Sequence, residues 1–270
     1  MKKFLIMLMV LTLLVSLVAC GETGNTEETS STETTTAEPE TTAEPTPEVT
    51  VMTYAEYDAA EMDTAVVIEA YVQATQSWWS DDGQGKITAY LQDRDGAYFA
   101  YEMACTEEDA AKLVPGTKIR VSGYKGTWAG EVEIMDGTFT FVDGADTFVA
   151  EALDVTALLG TDDLIKHQNQ FVAVKGATVA ASTDKDGNEV AFLYNWDGSG
   201  TQGNDLYFNV TVGEATYNFC VESYLCGKDT DVYKAVEALQ VGDVIDLEGF
   251  LYWYEGVNPH ITAVTPVVAE

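Results

Sequence analysis

The amino-acid sequence predicts an all-β protein with short helices, in which two tandem five-stranded barrels follow a disordered tether. Short apolar segments alternate with turn residues through most of the chain, which is typical of β structure. The segment 113–130 also returns at 239–256 with the same internal spacing. The matched pairs are Leu113 and Leu239, Gly116 and Gly242, Ile119 and Ile245, Val121 and Leu247, Gly123 and Gly249, Tyr124 and Phe250, Trp128 and Tyr254, and Gly130 and Gly256.

The first 20 residues have the order of a secretory leader. Lys2 and Lys3 precede an apolar run of about fifteen residues, which is short for a membrane-spanning helix. The run ends in Leu17-Val18-Ala19-Cys20, which resembles a bacterial (Gram-positive type) lipobox. The resemblance implies a lipoprotein signal peptide at 1–19, lipidation of Cys20 and a lipid anchor in the cell membrane, with the protein on the extracytoplasmic face.

Residues 20–51 form the predicted disordered linker. Positions 21–50 hold eleven Thr, eight Glu and three Pro, without an aromatic or basic residue. Such a segment buries too little apolar surface to offset the entropy of ordering it. A flexible chain of this length spans roughly 30 Å and would hold the folded part away from the membrane.

The first barrel is assigned to 52–147 and the second to 148–270, with an insertion in the second. The elements predicted for the first are a helix at 54–62, strands at 65–73, 86–92 and 97–105, a helix from 106 to about 113, a strand at 117–124 and a strand from 132. Those predicted for the second are strands at 171–180, 242–254 and 261–268, a helix at 231–239 and insertions at 198–205 and 222–231.

Five strands with a helix between the third and the fourth follow the order of an OB-fold barrel. The spacing L-x-x-G-x-x-I-x-V-x-G before the fourth strand, from Leu113 to Gly123, also resembles many bacterial OB domains. This resemblance implies a ligand on the face of the second and third strands, between the loops that join strands 1–2 and 4–5.

Aromatic residues are frequent at those places and are the candidate ligand-binding residues. Their rings could stack on sugars, bases or apolar side chains, or they could instead fill the ends of the barrels. The candidates are Trp78, Trp79, Tyr90 and Trp128 in the first barrel, and Tyr194, Trp196, Tyr252, Trp253 and Tyr254 in the second, with Tyr194 and Trp196 placed at the end of its second strand.

The cysteines, histidines and acidic turns indicate no cofactor and no metal. Cys220 and Cys226 are close enough in sequence for a small-loop disulfide, although two unpaired thiols fit equally well. The segment 184–189 resembles the start of a calcium loop, but Glu189 replaces its glycine, so a hairpin turn is the better interpretation. His167 and His260 have no metal-ligand or catalytic spacing, and we expect no enzymatic activity.

The charge bears on the choice between binding partners. The net charge of −32 opposes nucleic acid, because a nucleic-acid binder should carry a basic stripe. We therefore expect a non-catalytic binding module for a neutral glycan, a peptide or an envelope protein. A single-stranded nucleic-acid-binding OB protein, and an accessory anchor subunit of an envelope enzyme or transporter, are the alternatives.

Overall fold

The computed structural model describes residues 50–267. The predicted signal peptide, Cys20 and nearly all of the predicted linker lie outside these residues. The described part falls within one compact unit, Pro47–Glu270. Within it, no helix has both the length and the apolar character needed to cross a membrane.

The first barrel closes five strands in the OB order. Its elements are α1 (Tyr54–Ala59), β1 (Ala65–Thr75), β2 (Trp79–Asp81), β3 (Gln84–Gln92), β4 (Ala97–Ala104), α2 (Glu107–Ala110), β5 (Lys118–Trp128) and β6 (Glu131–Phe141). Strand β1 pairs with both β5 and β3, so that the order β1-β5-β6-β4-β3 returns to β1. Alternate side chains of these strands, such as Ile68, Ile119 and Val121, fill a continuous apolar core.

The elements of the second barrel are β7 (Leu153–Asp154), β8 (Phe171–Ala180), β9 (Ser182–Thr183), β10 (Glu189–Val190), β11 (Leu193–Tyr194), β12 (Leu206–Val212), β13 (Ala215–Val221), α3 (Asp231–Glu237), β14 (Val244–Phe250) and β15 (His260–Pro266), with 3-10 turns at Thr156–Leu158 and Leu164–His167. The barrel repeats the topology of the first with β8, β14, β15, β13 and β12, and β12 closes it against β8. The predicted fold class, all-β with two OB-like barrels, is therefore confirmed.

The sequence repeat has a structural cause at its glycines. Gly116 and Gly242 both have positive φ, and their amides donate to the carbonyls of Val72 and Val179 at 2.8 and 2.9 Å. A residue with a side chain is strained in that conformation. Each turn therefore ties the start of the fourth strand of its barrel to the first strand.

A second pair of repeated glycines, Gly123 and Gly249, lies where the register of the fourth strand shifts. A Cβ atom at Gly123 would come within 2.7 Å of the Met135 carbonyl oxygen, and one at Gly249 within 2.3 Å of the His260 carbonyl oxygen. Both neighbours are backbone and cannot move aside cheaply. The glycines therefore allow the fourth and fifth strands to approach closely in both barrels.

Several predicted elements differ from the observed ones. The helix predicted to reach about residue 113 is the four-residue α2, because Ala111 already begins the turn that leads to Gly116. The first loop contains β2, which pairs with the start of β3. The insertion of the second barrel precedes β12, so Tyr194 and Trp196 lie in the connection between its first two strands rather than at the end of the second strand.

The two barrels meet through an aromatic cluster of Tyr90, Phe99 and Phe250, joined by Phe171 and Tyr252. Tyr90 stacks on Phe250 with ring centroids 4.4 Å apart, and its hydroxyl lies 2.6 Å from His260 Nδ1. Burial lowers the pKa of His260 to about 3, so the imidazole is neutral near pH 7. Tyr90 does point away from the core of its own barrel, but the second barrel covers it.

Cys105, Cys220 and Cys226 are free, buried thiols, so the disulfide considered between Cys220 and Cys226 is not formed. Cys226 packs in the core of the second barrel with Phe219 and Val221. Successive residues of a strand point to opposite faces, which directs Cys220 away from that core. Cys226 therefore lies on the core side of β13, whereas Cys220 points to the other side, although the two residues are close in sequence.

The segment 184–189 is the polar turn that the sequence predicts. It joins β9 to β10, which pair at Thr183–Glu189 and Ser182–Val190. The Asp184 carboxylate accepts hydrogen bonds from the amides of Asp186 and Asn188 at 2.9 and 2.8 Å. Those bonds close the hairpin.

Candidate ligand-binding groove

A groove of about 1060 Å³ lies on the outer surface of the first barrel, along β3, β4 and β6. This surface includes the face of the second and third barrel strands on which the sequence places the ligand. The lining residues are Gln84, Gly85, Lys86, Tyr101, Glu102, Ala104, Cys105, Thr106, Asp109, Trp128, Glu133, Met135, Asp136, Gly137, Thr138, Phe139 and Tyr252.

The groove lies where the pairing of β4 with β6 ends. These parallel strands pair only at Phe99–Glu133 and Ala100–Ile134. Beyond that point each strand contains a residue with positive φ, Glu102 at 45° and Asp136 at 51°. Such residues accompany bulges that bend a strand away from its partner. The groove lies over this unpaired part of the two strands.

Aromatic rings form much of its wall. Trp128, at the end of β5, is 63% exposed, and Tyr101, on β4, is 42% exposed. Tyr252 belongs to the second barrel and stacks on His260 with centroids 4.1 Å apart. Exposed rings of this size offer flat apolar surfaces at which a ligand can stack.

Carboxylates outnumber positive charges along the groove. Glu102, Asp109, Glu133 and Asp136 line it, whereas Lys86 is its single basic residue. The Lys86 ammonium lies 2.7 Å from a carboxylate oxygen of Glu102 and 5.0 Å from the ring centroid of Trp79. The positive charge is therefore already paired, and the groove is net negative.

Glu133 is the most enclosed of these acids, with only 5% of the residue exposed. Desolvation, followed by the nearby charge of Glu102, raises the pKa of its carboxyl to about 6. Burial also raises the pKa of Tyr101 to about 12, helped by a hydrogen bond to Glu102. Near pH 7 the groove therefore presents an ionised Glu133 beside a protonated tyrosine.

The second barrel holds one end of the groove in place. The β5–β6 hairpin turns at Ala129 and Gly130, both of which have positive φ, as a two-residue hairpin requires. The Ala129 carbonyl accepts from the Glu255 amide at 2.7 Å, and the Gly130 carbonyl accepts from Gln168 Nε2 at 2.9 Å. These bonds fix the hairpin that carries Trp128.

Glu131 completes this contact from a fully buried position. One of its carboxylate oxygens, Oε2, accepts from the Trp253 amide at 2.8 Å and from Gln168 Nε2 at 3.2 Å. Its other oxygen has no hydrogen-bond partner within residues 50–267. Desolvation raises the pKa of Glu131 to about 8.

The structure brings some of the predicted binding residues together. Trp128 and Tyr252 line the groove, and Trp79 lies beside it over Lys86. Trp78 is half-buried behind the groove wall and donates from Nε1 to the Cys105 carbonyl at 2.9 Å. Trp253 is half-buried, with its ring against Gly130.

The remaining candidates lie elsewhere. Tyr90 is buried between the barrels, so its assignment as a ligand-binding residue is wrong, because the second barrel already occupies its outer face. Tyr194 is half-buried and donates to Glu237 Oε1 at 2.6 Å. Trp196 and Tyr254 are exposed on the second barrel and do not line the groove.

Sequence reasoning missed Tyr101, Glu133 and Phe139. Tyr101 and Phe99 occupy alternate positions of β4 that point away from the barrel core, so strand alternation could have identified Tyr101 as an outward ring. Glu133 lies between Val132 and Ile134, which pack in the barrel core, so strand alternation likewise directs its side chain outward. Among residues 50–267 no group of three or more His, Cys, Asp or Glu side chains is placed to hold a metal ion.

Comparison with known proteins gives only distant structural similarities. No family model matches the sequence, and no curated protein matches it. The p204 HINb domain is similar at 13% identity and a TM-score of 0.33, covering 74% of this chain and 95% of that chain. A murine DNA-binding protein bound to double-stranded DNA is similar at 12% identity and a TM-score of 0.36, and the match covers 76% of this chain and 97% of that chain. A replication protein A heterotrimer bound to single-stranded DNA is similar at 12% identity and a TM-score of 0.30, and the match covers 76% of this chain and 52% of that chain.

Proposed function

We propose that the described part of the chain is a non-catalytic binding module whose ligand occupies the groove on the first barrel. The observation that carries this proposal is the pair of solvent-exposed rings, Tyr101 and Trp128, on a concave surface that includes the ligand-binding face of OB barrels. Large exposed aromatic side chains next to polar groups are enriched at binding surfaces. The groove volume suits a small molecule or a short stretch of a polymer.

A neutral glycan or a peptide, free or presented by an envelope protein, is the ligand class that we favour. Aromatic faces stack on apolar ring surfaces, and the carboxylates of Glu102, Glu133 and Asp136 can accept hydrogen bonds from hydroxyl or amide groups. With Cys20 lipidated, the tether would present this groove on the extracytoplasmic face of the membrane. Lipidation itself rests on the leader sequence.

Single-stranded nucleic acid is the second candidate, favoured by the same exposed rings. Bases stack on such platforms in OB barrels without sequence preference. A nucleic-acid site also needs cations along the backbone path, whereas the lining has four carboxylates and one lysine that is paired with Glu102. This charge distribution makes nucleic acid the less favoured ligand.

The test is a binding screen of the purified full chain against glycan, peptide and single-stranded oligonucleotide panels. Trp128→Ala should abolish capture of the ligand without lowering the melting temperature, because the ring is largely in solvent. Trp196→Ala is the matched control, since this ring is 76% exposed on the second barrel. A Trp128→Ala protein that binds as well as the Trp196→Ala protein would contradict the proposal.

The salt dependence of binding separates the two candidates. Nucleic-acid binding should weaken steeply as salt rises, because released counterions drive it. Glycan binding by stacking and hydrogen bonds should change little over the same range. Steep salt dependence on an oligonucleotide would therefore replace the favoured ligand class with the second one.

A further inference from the structure

We infer that the groove selects a ligand that carries an ammonium group, and that this group seats between the Glu133 carboxylate and the rings of Tyr101, Trp128 and Tyr252. The inference rests on the proposed function and narrows its favoured ligands to those with an ammonium group, such as a peptide with a free amine, so that a neutral glycan is excluded. The shared feature is an organic cation, either a primary amine or a quaternary ammonium group.

Glu133 is the first part of the argument. Its side chain lines the groove although 95% of the residue is buried. Its carboxylate makes no hydrogen bond to a protein group within residues 50–267, and its oxygens are not among the fully buried unpartnered atoms of that part of the chain, so they stay accessible from the groove. A buried charge normally has a partner, because an unpaired one has a large desolvation cost. Lys86, the single basic residue of the lining, is paired with Glu102 instead. A positive group supplied by the ligand would complete the site.

The aromatic rings are the second, independent part. Tyr101, Trp128 and Tyr252 come from β4, β5 and the segment after β14, and all three line the same space. The face of an aromatic ring attracts a cation, and tryptophan does so most strongly. Aromatic rings around a carboxylate are therefore suited to an ammonium group, whereas an anionic or phosphate-bearing ligand would meet four carboxylates.

The same arrangement makes binding dependent on pH. The titratable groups that interact with Glu133 are Glu102 and Tyr101 on β4, Tyr57 on α1, Tyr252 of the second barrel and Glu131 on its own strand. The pKa of Glu133 is raised to about 6, so the carboxylate is ionised at pH 7.5 and largely protonated at pH 5. A bound cation favours the ionised form, and its affinity should therefore fall as the pH drops through 6.

The experiment titrates the purified full chain with choline and with 3,3-dimethylbutan-1-ol, which has nearly the same shape and no charge. Butylamine and butan-1-ol form the second pair, so that quaternary and primary ammonium groups are distinguished. The signal is the indole N–H resonance of Trp128. At least one cation should bind at least about tenfold more tightly than its neutral counterpart, a factor within the range of a partly desolvated cation–π contact.

Glu133→Gln should remove this preference, and Glu214→Gln should keep it. The control makes the same change of charge in the exposed turn between β12 and β13, far along the chain from the groove. If the Glu133→Gln protein does not fold, the unmodified protein still tests the inference, because its preference for the cation over the neutral compound should decline between pH 7.5 and pH 5. Equal binding of the charged and neutral partners, or a preference that persists in Glu133→Gln or at pH 5, would overturn the inference.

Failure here is distinct from failure of the proposed function. A neutral glycan that shifts Trp128 while neither ammonium compound does would overturn the cation inference and leave the binding module standing. No shift of Trp128 with any ligand of the broad panels would overturn both.

Discussion

The contact between Tyr90 and His260 joins the two barrels, and we expect the barrels to unfold together. The substitution Tyr90→Phe tests the contribution of this contact to stability. The substitution removes the hydroxyl group and keeps the ring that stacks on Phe250 at 4.4 Å. It thereby isolates the 2.6 Å hydrogen bond between Tyr90 and His260 Nδ1. Both side chains are buried, so water cannot replace the lost partner.

Leaving a buried nitrogen without a partner costs about 1–3 kcal/mol of the free energy of unfolding. For a chain of this size, a loss of about 2 kcal/mol lowers the melting temperature by roughly 4–8 °C. Tyr224→Phe is the matched control, because that ring is exposed and should leave stability unchanged.

The assay is urea unfolding of the full chain, followed both by far-ultraviolet circular dichroism and by tryptophan fluorescence. Tyr90→Phe should shift the midpoint to lower urea in both signals, and the two transitions should coincide in the unmodified protein. The reasoning would be refuted by a Tyr90→Phe midpoint equal to that of Tyr224→Phe. Two separate transitions in the unmodified protein would show that the barrels do not stabilise each other through this contact.

Two further predictions concern the hairpin contact and the repeated glycines. The folded-state pKa of Glu131 is raised from 4.5 to about 8, so the folded state retains a proton that the unfolded state releases; the protein should lose stability as the pH rises from about 4.5 through 8. The Glu131→Gln protein should have the same free energy of unfolding as the unmodified protein at pH 4, and a value higher by a few kcal/mol above pH 8. Chemical unfolding at several pH values would measure this difference, and a difference that does not change with pH would contradict the prediction. Gly123→Ala and Gly249→Ala should each lower stability by about 2 kcal/mol or more, because a Cβ atom would contact backbone at 2.7 and 2.3 Å. Gly227→Ala, whose nearest neighbour would lie at 3.6 Å, is their control, and equal melting temperatures for all three variants would contradict the steric explanation.

Much of the fold could be predicted from the sequence because its rules are local. Strand alternation identifies Ile119 and Val121 as core residues, and both are fully buried. The repeated glycines of the two barrels indicate one backbone geometry used twice, and Gly116 and Gly242 have nearly the same φ. Such features depend on neighbours along the chain, which the sequence displays directly.

The groove depends on long-range pairing and was only partly predictable. Alternation shows that Tyr90 leaves the core of the first barrel, but it does not show that Phe250 of the second barrel will cover it. The short parallel pairing of β4 with β6 likewise joins segments that are distant in the sequence. Trp128 could be identified because it follows a recognisable strand, whereas Tyr101 and Glu133 gain significance only once that pairing is known.

Nuclear magnetic resonance of the five tryptophan indole groups tests the central claim most directly. Trp128 lines the groove, Trp79 and Trp78 lie beside and behind it, Trp253 contacts the hairpin, and Trp196 lies on the second barrel. A ligand from the screen should shift the Trp128 indole resonance most and leave that of Trp196 in place. A ligand that moves Trp196 and leaves Trp128 unchanged would contradict the assignment of the groove as the binding site.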